Sequence, residues 1–113
     1  MLLSAIPEYR LPRTLLDKEI NGLIDKNITL KCNKTLGKDF SLDQLQNDFD
    51  AVYLALGAHR SRKLGLENEE ATGVYPSIEF LKAFNLRGDC LARGRVGVVG
   101  GGNSAIDAAR VAL

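Results

Sequence analysis

The run GRVGVVGGGNSAIDAARVAL, residues 94–113, decides the fold that the sequence predicts. Its first part is rich in valine and predicts a short β-strand. Its second part predicts a helix with an apolar face that consists of Ala105, Ile106, Ala109 and Ala112. Between the two, Gly100, Gly102 and Ala105 have the spacing G-x-G-x-x-A. Glycines at these places let the chain turn sharply, and a small third residue lets the helix pack closely on the strand. This order of strand, turn and helix predicts the start of a mononucleotide-binding α/β unit.

The same turn predicts a site for a diphosphate. Gly102 has no Cβ, so a pyrophosphate can approach the backbone there, and the free N–H groups at the start of the helix point at it. The helix dipole adds roughly 0.3–2 kcal/mol of preference for an anion at that end. The predicted dinucleotide-binding residues are Gly100, Gly101, Gly102, Asn103, Ser104 and Ala105. The alternative interpretation is a tight turn that binds no ligand.

The motif lacks its usual continuation. An acidic residue that binds the ribose is expected about 20 positions further on, so NAD and NADP are both left open. A complete unit takes about 30 residues, whereas the run from Val96 to Leu113 has 18. We therefore expect the chain to be a piece of a longer polypeptide.

Two helices are predicted in the first half of the chain. The first covers residues 14–26, with Thr14 as its N-cap and Asn27 at its end. The second is short and follows Ser41 and Gln44, which have the spacing of a capping box. Both predictions depend only on residues close together in sequence.

Two more strands and a third helix are predicted between these elements and the final run. Residues 28–32 alternate apolar with polar side chains and predict a half-exposed strand. Residues 51–56 are continuously apolar, which is typical of a strand buried on both faces. The third helix begins at Pro76 and Ser77, before a linker over 85–94. Helices and strands thus alternate along the chain, which indicates a layered α/β fold.

Composition excludes several classes of protein. The 113 residues carry 15 Lys and Arg against 14 Asp and Glu, a net charge of +1, so neither a polybasic nucleic-acid arm nor an acidic tail is expected. Cys32 and Cys90 lie far apart and predict no disulfide framework or zinc site. They are expected to be buried, inert thiols, and the alternative is that they are redox-active. No apolar run approaches the roughly 20 residues of a membrane helix. A reducing, cytoplasmic setting fits best.

Four runs occur in an order known from one family of proteins. They are IPEYRLPRTLLDKEI at 6–20, FDAVYLALGAHRSRKLGL at 49–66, GVYPSIEFLKAFN at 73–85 and GRVGVVGGGNSAIDAAR at 94–110. Together they resemble the glutamate synthase small (beta) subunit family, with its related flavin modules in dihydropyrimidine dehydrogenase and NADPH–ferredoxin oxidoreductases. The resemblance implies an enzyme in which NADPH reduces FAD, and electrons leave one at a time through iron–sulfur clusters to a partner subunit or domain.

The resemblance also implies two flavin-binding segments, one in the first run and one at the end of the predicted strand 51–56. The residues implied to contact FAD are Arg10, Leu11, Ala55, Leu56, Gly57 and Ala58. The implied fold is α/β, a partial Rossmann-like layered fold of the flavoproteins with two dinucleotide-binding domains, incomplete at both ends. Residues 1–93 would form part of the FAD-binding domain and a connecting segment, and residues 94–113 the first strand and helix of the NAD(P)-binding domain.

The sequence departs from the family pattern in three places. The Gly-rich first FAD loop and the cysteines of the iron–sulfur segment are both missing upstream. Residues 65–70 read GLENEE, where relatives commonly have Pro-Gly before the acidic pair. We therefore expect this chain alone to be inactive and not to bind FAD tightly.

Charged side chains outside the turn have plainer interpretations beside the functional ones. Arg10 either binds a flavin phosphate or pairs with Glu8. Residues 58–76 are expected to form a long exposed loop that contains His59 as an ordinary loop residue. Its basic and acidic residues are expected to compensate each other, and they are Arg60, Arg62, Lys63, Glu67, Glu69 and Glu70.

The remaining candidates are assigned to the core or the surface. Phe80 and Phe84 lie four apart on a predicted helix and are expected in the core. Asp107 and Arg110 are expected to point outward from the last helix. No residue is predicted to be catalytic, because the cofactors of such an enzyme carry the chemistry.

Two other functions are compatible with the residues. One is a free-standing sensor that binds a dinucleotide without catalysis, and the other is an interaction module whose incomplete sheet edge docks onto a partner. If the predicted strands lack neighbours, we expect exposed apolar edges with either self-association or disorder near residues 105–113.

Overall fold

The computed structural model describes residues 2–24 and 27–113, and those residues contain four α-helices and no β-strand. The helices are α1 (Arg13–Leu23), α2 (Leu42–Asp48), α3 (Ser77–Arg87) and α4 (Asn103–Val111). The chain divides into two compact units. The first contains the residues up to Lys18 together with Gly57–Leu113, and the second contains Glu19–Leu56.

Helix α1 confirms the first predicted helix but has different ends. It begins at Arg13, and the Pro12 carbonyl accepts a hydrogen bond from the Leu16 N–H at 3.1 Å. Thr14 therefore lies inside the helix, and its assignment as the N-cap is wrong. The helix ends at Leu23 rather than next to Asn27, and residues 25 and 26 of the prediction lie outside the described residues.

Helix α2 confirms the predicted capping box. The Ser41 hydroxyl accepts from the Gln44 N–H at 3.1 Å, and the Gln44 Oε1 accepts from the Ser41 N–H at 2.8 Å. Two polar groups that the helix itself leaves without partners are thus satisfied reciprocally. This explains why a helix of only seven residues forms here.

Helix α3 begins after Pro76, as predicted, and continues three residues into the segment expected to be a linker. It ends where Gly88 adopts a φ of +74°, a conformation that costs glycine little. The Gly88 N–H donates to the Phe84 carbonyl at 2.8 Å, and the Asp89 N–H donates to the Ala83 carbonyl at 3.2 Å. Residues 85–87 are therefore helical, and their assignment to a linker is wrong.

The core of the first unit lies where α3 packs against α4. Its buried centre consists of Phe80, Leu81 and Ala108, of which Leu81 is only 1% exposed. Partly buried apolar residues surround this centre, and they are Cys90, Leu91, Ala92, Val111 and Ala112. The core assignment is confirmed for Phe80, which is 7% exposed, but wrong for Phe84, which is 37% exposed although it lies one helical turn further along α3.

The three predicted strands have no ladder partners among the described residues, where the one isolated bridge joins Leu36 and Phe40. The prediction that residues 51–56 form a buried centre is wrong, since Tyr53 is 92% exposed. In the third predicted strand, Val99 is likewise 85% exposed. A parallel strand is buried only when neighbouring strands and covering helices flank it. The α/β fold class therefore stays a prediction.

The loop over residues 58–76 is mostly exposed, as predicted, and His59 lies exposed within it. Its charges compensate each other locally. Lys63 forms an ion pair with Glu70, and the Glu69 carboxylate accepts hydrogen bonds from the N–H groups of Leu64 and Gly65, both at 2.8 Å. The predicted compensation of charge is confirmed for Lys63 and Glu70, and it stays a prediction for Arg60, Arg62 and Glu67.

Candidate functional site

The turn before α4 has the sharp bend that the glycine spacing predicts. Gly100 adopts a φ of +126°, in the region where side chains other than glycine are strained. A Cβ built on Gly100 would lie 3.4 Å from the Ala105 Cβ. Gly100 and Ala105 therefore lie close together, as the motif predicts. Residues 96–100 are nevertheless not paired in a sheet.

The start of α4 leaves backbone donors available. Gly102 is the N-cap, and it has no side chain that could accept a hydrogen bond from these donors. Its carbonyl accepts from the N–H groups of Ala105 and Ile106 at 3.0 and 3.1 Å. The N–H groups of Asn103 and Ser104, the first two helical residues, have no partner within the helix. Residues 100–104 are exposed, and a Cβ on Gly101 or Gly102 would meet nothing within 4 Å. This geometry fits a diphosphate that lies against the backbone.

Arg10 lies beside the same helix. Residues 7–11 form the turn that carries Arg10. In this turn, the N–H groups of Arg10 and Leu11 donate to the Pro7 carbonyl at 3.0 and 3.2 Å. The Arg10 Nη2 lies 3.4 Å from the Asn103 Oδ1. The fold thus brings a residue implied to bind FAD next to one predicted to bind the dinucleotide, whereas Leu11 is half-buried beside it.

Asp107 is the partner of Arg10, instead of the Glu8 considered from the sequence. The Arg10 Nε lies 3.3 Å from the Asp107 Oδ1, and the Tyr9 hydroxyl donates to the same oxygen at 2.7 Å. Asp107 is only 3% exposed, so the prediction that it points outward is wrong. The polar partners supplied by Tyr9 and Arg10 make its burial tolerable.

The buried face of α4 explains this correction. The helix buries Asp107 and Ala108, whereas Ile106 is 51% exposed and Ala109 is also exposed. Arg110 is exposed, as predicted, and its guanidinium carbon lies 3.9 Å from the centre of the Tyr9 ring. The packing face is therefore rotated relative to the apolar pattern.

Tyr9 is the residue of this site that the sequence analysis did not name, and Asp107 is the one that it assigned to the surface. Burial of the Tyr9 hydroxyl and its hydrogen bond to Asp107 both raise the Tyr9 pKa above its ordinary value of 10.0. The available signal was weak: Asp107 shares a helical ridge with Asn103 and Val111, four positions away on either side. Nothing local to Asp107 indicates a partner as distant in sequence as Tyr9.

The second implied flavin segment, residues 55–58, is exposed. Gly57 adopts a φ of +71°, as expected of a glycine at a change of chain direction. Ala55 and Leu56 belong to the second unit, and Gly57 and Ala58 to the first. The role of these four residues stays a prediction.

Neither a metal site nor a membrane helix is found among the described residues. In residues 2–24 and 27–113, no group of three or more His, Cys, Asp or Glu side chains is placed to hold a metal ion. Within the same ranges, no helix has the length and apolar character required to span a membrane. Cys32 is exposed, contrary to the expectation of a buried thiol, and Cys90 is half-buried.

Comparison with known proteins gives homologues that match the chain over its whole length or nearly so. The chain is 45% identical to the NADP(+)-dependent formate dehydrogenase subunit beta of Moorella thermoacetica and 34% identical to the small chain of NADPH glutamate synthase of Escherichia coli K12, with all of this chain aligned in both. It is 35% identical, over 96% of its length, to the NAD-dependent dihydropyrimidine dehydrogenase subunit PreT of Escherichia coli O157:H7.

The chain spans only a small part of these relatives, 16% of the first and 26% of the other two. No family model and no solved structure matches it. Two of these relatives, the glutamate synthase small chain and the dihydropyrimidine dehydrogenase subunit, are of the kinds that the four sequence runs indicate. The aligned region includes the turn at Gly100–Ala105. Over its whole length, therefore, this chain is a homologue of one segment of the glutamate synthase small chain and of related subunits of NAD(P)-dependent oxidoreductases.

Proposed function

We propose that this chain is part of an NAD(P)H-dependent flavin oxidoreductase, in which it contributes to binding both a nicotinamide dinucleotide and FAD. When bound, the nicotinamide supplies a hydride to the flavin, and the electrons pass on to an iron–sulfur or partner acceptor. The chain's own residues bind and orient the cofactors. The relatives are themselves named as subunits, which supports an electron-accepting partner subunit or domain.

The observation that carries this proposal is the turn at Gly100–Ala105. Its positive φ at Gly100, its uncapped helix start and the open space at Gly102 together allow a diphosphate to reach the backbone N–H groups. These features favour a nucleotide site over a purely structural turn.

Arg10 supports the flavin side of the proposal. Its side chain is 41% exposed, and a guanidinium forms strong, bidentate hydrogen bonds with phosphate. In the proposed enzyme, Arg10 and Leu11 lie against FAD in the domain formed by residues 1–93. Residues 55–58 form its second flavin contact, and residues 94–113 begin the NAD(P)-binding domain. The proposed setting is the cytoplasm.

The proposed site is tested by a substitution that fits the fold of the chain but fills the space that the diphosphate would occupy. Gly102 has an ordinary φ of −82°, and a Cβ at this position would meet no atom within 4 Å, so Gly102→Ala fits the free protein. In the full-length protein, we expect it to weaken NADPH or NADH binding by about tenfold or more, a free-energy difference of about 1.4 kcal/mol. Isothermal titration measures both affinities.

Gly97→Ala is the matched control, because Gly97 is also free of neighbours and lies outside the turn. It should leave the affinity unchanged. Undiminished NAD(P)H binding by the Gly102→Ala variant would refute the proposed site. Dinucleotide binding in a protein that carries no flavin would support the sensor function instead.

A further inference from the structure

We propose that Asp107 is a positioning residue for Arg10: from within α4, it fixes the guanidinium that the flavin-side segment, residues 6–12, presents to FAD. The inference rests on the proposed function, because it takes Arg10 as a residue that binds a phosphate of FAD. It adds a direct link between the flavin-side segment and the helix that follows the dinucleotide turn.

The first argument is the way in which Arg10 is held. Its Nε lies 3.3 Å from the Asp107 Oδ1, and its Nη2 lies 3.4 Å from the Asn103 Oδ1. Its Nη1 has no partner in the part of the chain that the structure describes. The Asp107 side chain is 5% exposed and the Arg10 side chain 41% exposed. The carboxylate is therefore the fixed end of the pair, and the guanidinium keeps an accessible edge for an anion.

The second argument is that Asp107 depends on the flavin-side segment for its partners. A buried carboxylate is unfavourable unless it is paired and hydrogen-bonded. Both of its donors, the Tyr9 hydroxyl and the Arg10 guanidinium, come from neighbouring residues in the turn after Pro7. Arg110 stacks on the Tyr9 ring and adds a second contact from α4. The turn is thus attached to α4 at two adjacent residues.

These contacts prepare Arg10 for its ligand. A free arginine side chain samples many rotamers, and a ligand that immobilises it must offset the lost entropy. Asp107 restricts the side chain before the ligand arrives, while the hydrogen bond from the Arg10 N–H to the Pro7 carbonyl restricts the backbone. Loss of the Asp107 charge should therefore weaken FAD binding through Arg10.

The test is a double-mutant cycle in the full-length protein, with Asp107→Asn, Arg10→Met and the double variant. Flavin fluorescence gives the FAD dissociation constant of each apoprotein, and denaturant unfolding is followed in parallel. We expect each single substitution to weaken FAD binding by about tenfold to a hundredfold, the range for a hydrogen bond to a charged group. The double variant should bind FAD no more weakly than Arg10→Met alone.

Arg87→Met is the matched control, because Arg87 also pairs with a carboxylate, that of Asp89, but lies on α3 and outside both the turn after Pro7 and α4. It should leave FAD affinity unchanged. If Asp107→Asn gives no folded protein, Asp107→Glu completes the same cycle, since it keeps the charge but displaces it by one methylene group.

The outcomes separate this inference from the proposed function. If Arg10→Met does not change FAD affinity, the flavin role of Arg10 in the proposed function fails. If Arg10→Met weakens FAD binding but the Asp107 variant does not, only the positioning role fails. Losses that add fully in the double variant also overturn it, because Asp107 would then act through the fold and not through Arg10.

Discussion

At the scale of single residues, Glu69 shows how an exposed loop gains local order. Its carboxylate accepts hydrogen bonds from two consecutive backbone N–H groups, those of Leu64 and Gly65. These bonds form best with the ionised carboxylate, and the bond from Leu64 is the largest cause that lowers the Glu69 pKa below its ordinary value of 4.5. The loop conformation around residues 64–69 is therefore linked to the charge of one side chain.

The sign of this linkage gives a prediction for pH. Because the folded pKa lies below the unfolded one, the contribution of Glu69 is present above pH 4.5 and is lost as the pH falls through the folded value. We expect the amide resonances of Leu64 and Gly65 to shift with a single midpoint below 4.5 in an NMR titration. In a Glu69→Gln variant this shared transition should disappear. A midpoint at or above 4.5 would contradict the hydrogen bonds.

Asp107 is a single residue whose burial and partners cannot be predicted from the sequence alone. Its burial depends on Tyr9 and Arg10, which lie almost the whole chain length away. The apolar spacing of the last helix favoured a face that includes Ile106, yet Ile106 is half-exposed. A polar residue with distant donors can be buried against the pattern, and no local rule identifies those donors.

At the scale of elements, all four helices were predictable because their signals are local. The capping box of α2 depends on two residues three positions apart, and the turn before α4 depends on glycines within three positions. The helix ends were less predictable where two signals compete. Thr14 has the chemistry of a cap, but Pro12 already fixes the preceding backbone and its carbonyl begins the hydrogen-bond series of α1.

The capping box gives a prediction at this scale. Removal of either partner in Ser41→Ala or Gln44→Ala should destabilise α2 by about 1 kcal/mol, so the Leu45 N–H, which donates to the Ser41 carbonyl, should exchange with solvent about fivefold faster. Gln46→Ala is the control, since it removes a glutamine of the same helix outside the capping box. Equal exchange in all three variants would mean that the cap adds no stability.

At the scale of the whole molecule, the predicted strands differ from the helices in where their backbone hydrogen-bond partners come from. A helix satisfies its own backbone, whereas a strand needs neighbours on both sides, so its formation depends on residues far away in sequence. The relatives are several times longer than this chain, and their other segments are possible neighbours. The sequence predicts strand-forming residues at 51–56 and 96–100, but local pattern alone cannot say where their partners come from.

Hydrogen exchange on this chain tests whether those segments lack partners. We expect the amides of residues 52–56 and 96–99 to exchange at nearly unprotected rates, because their backbone groups have no ladder partner among the described residues and Tyr53 and Val99 are largely exposed. The amides of α3 around Leu81 should have the slowest exchange rates.

Sedimentation at several concentrations is the companion measurement. Protection of 96–99 that rises with concentration would indicate self-association through a sheet edge, whereas strong protection in a strict monomer would contradict the expectation, because the chain would then form its own sheet.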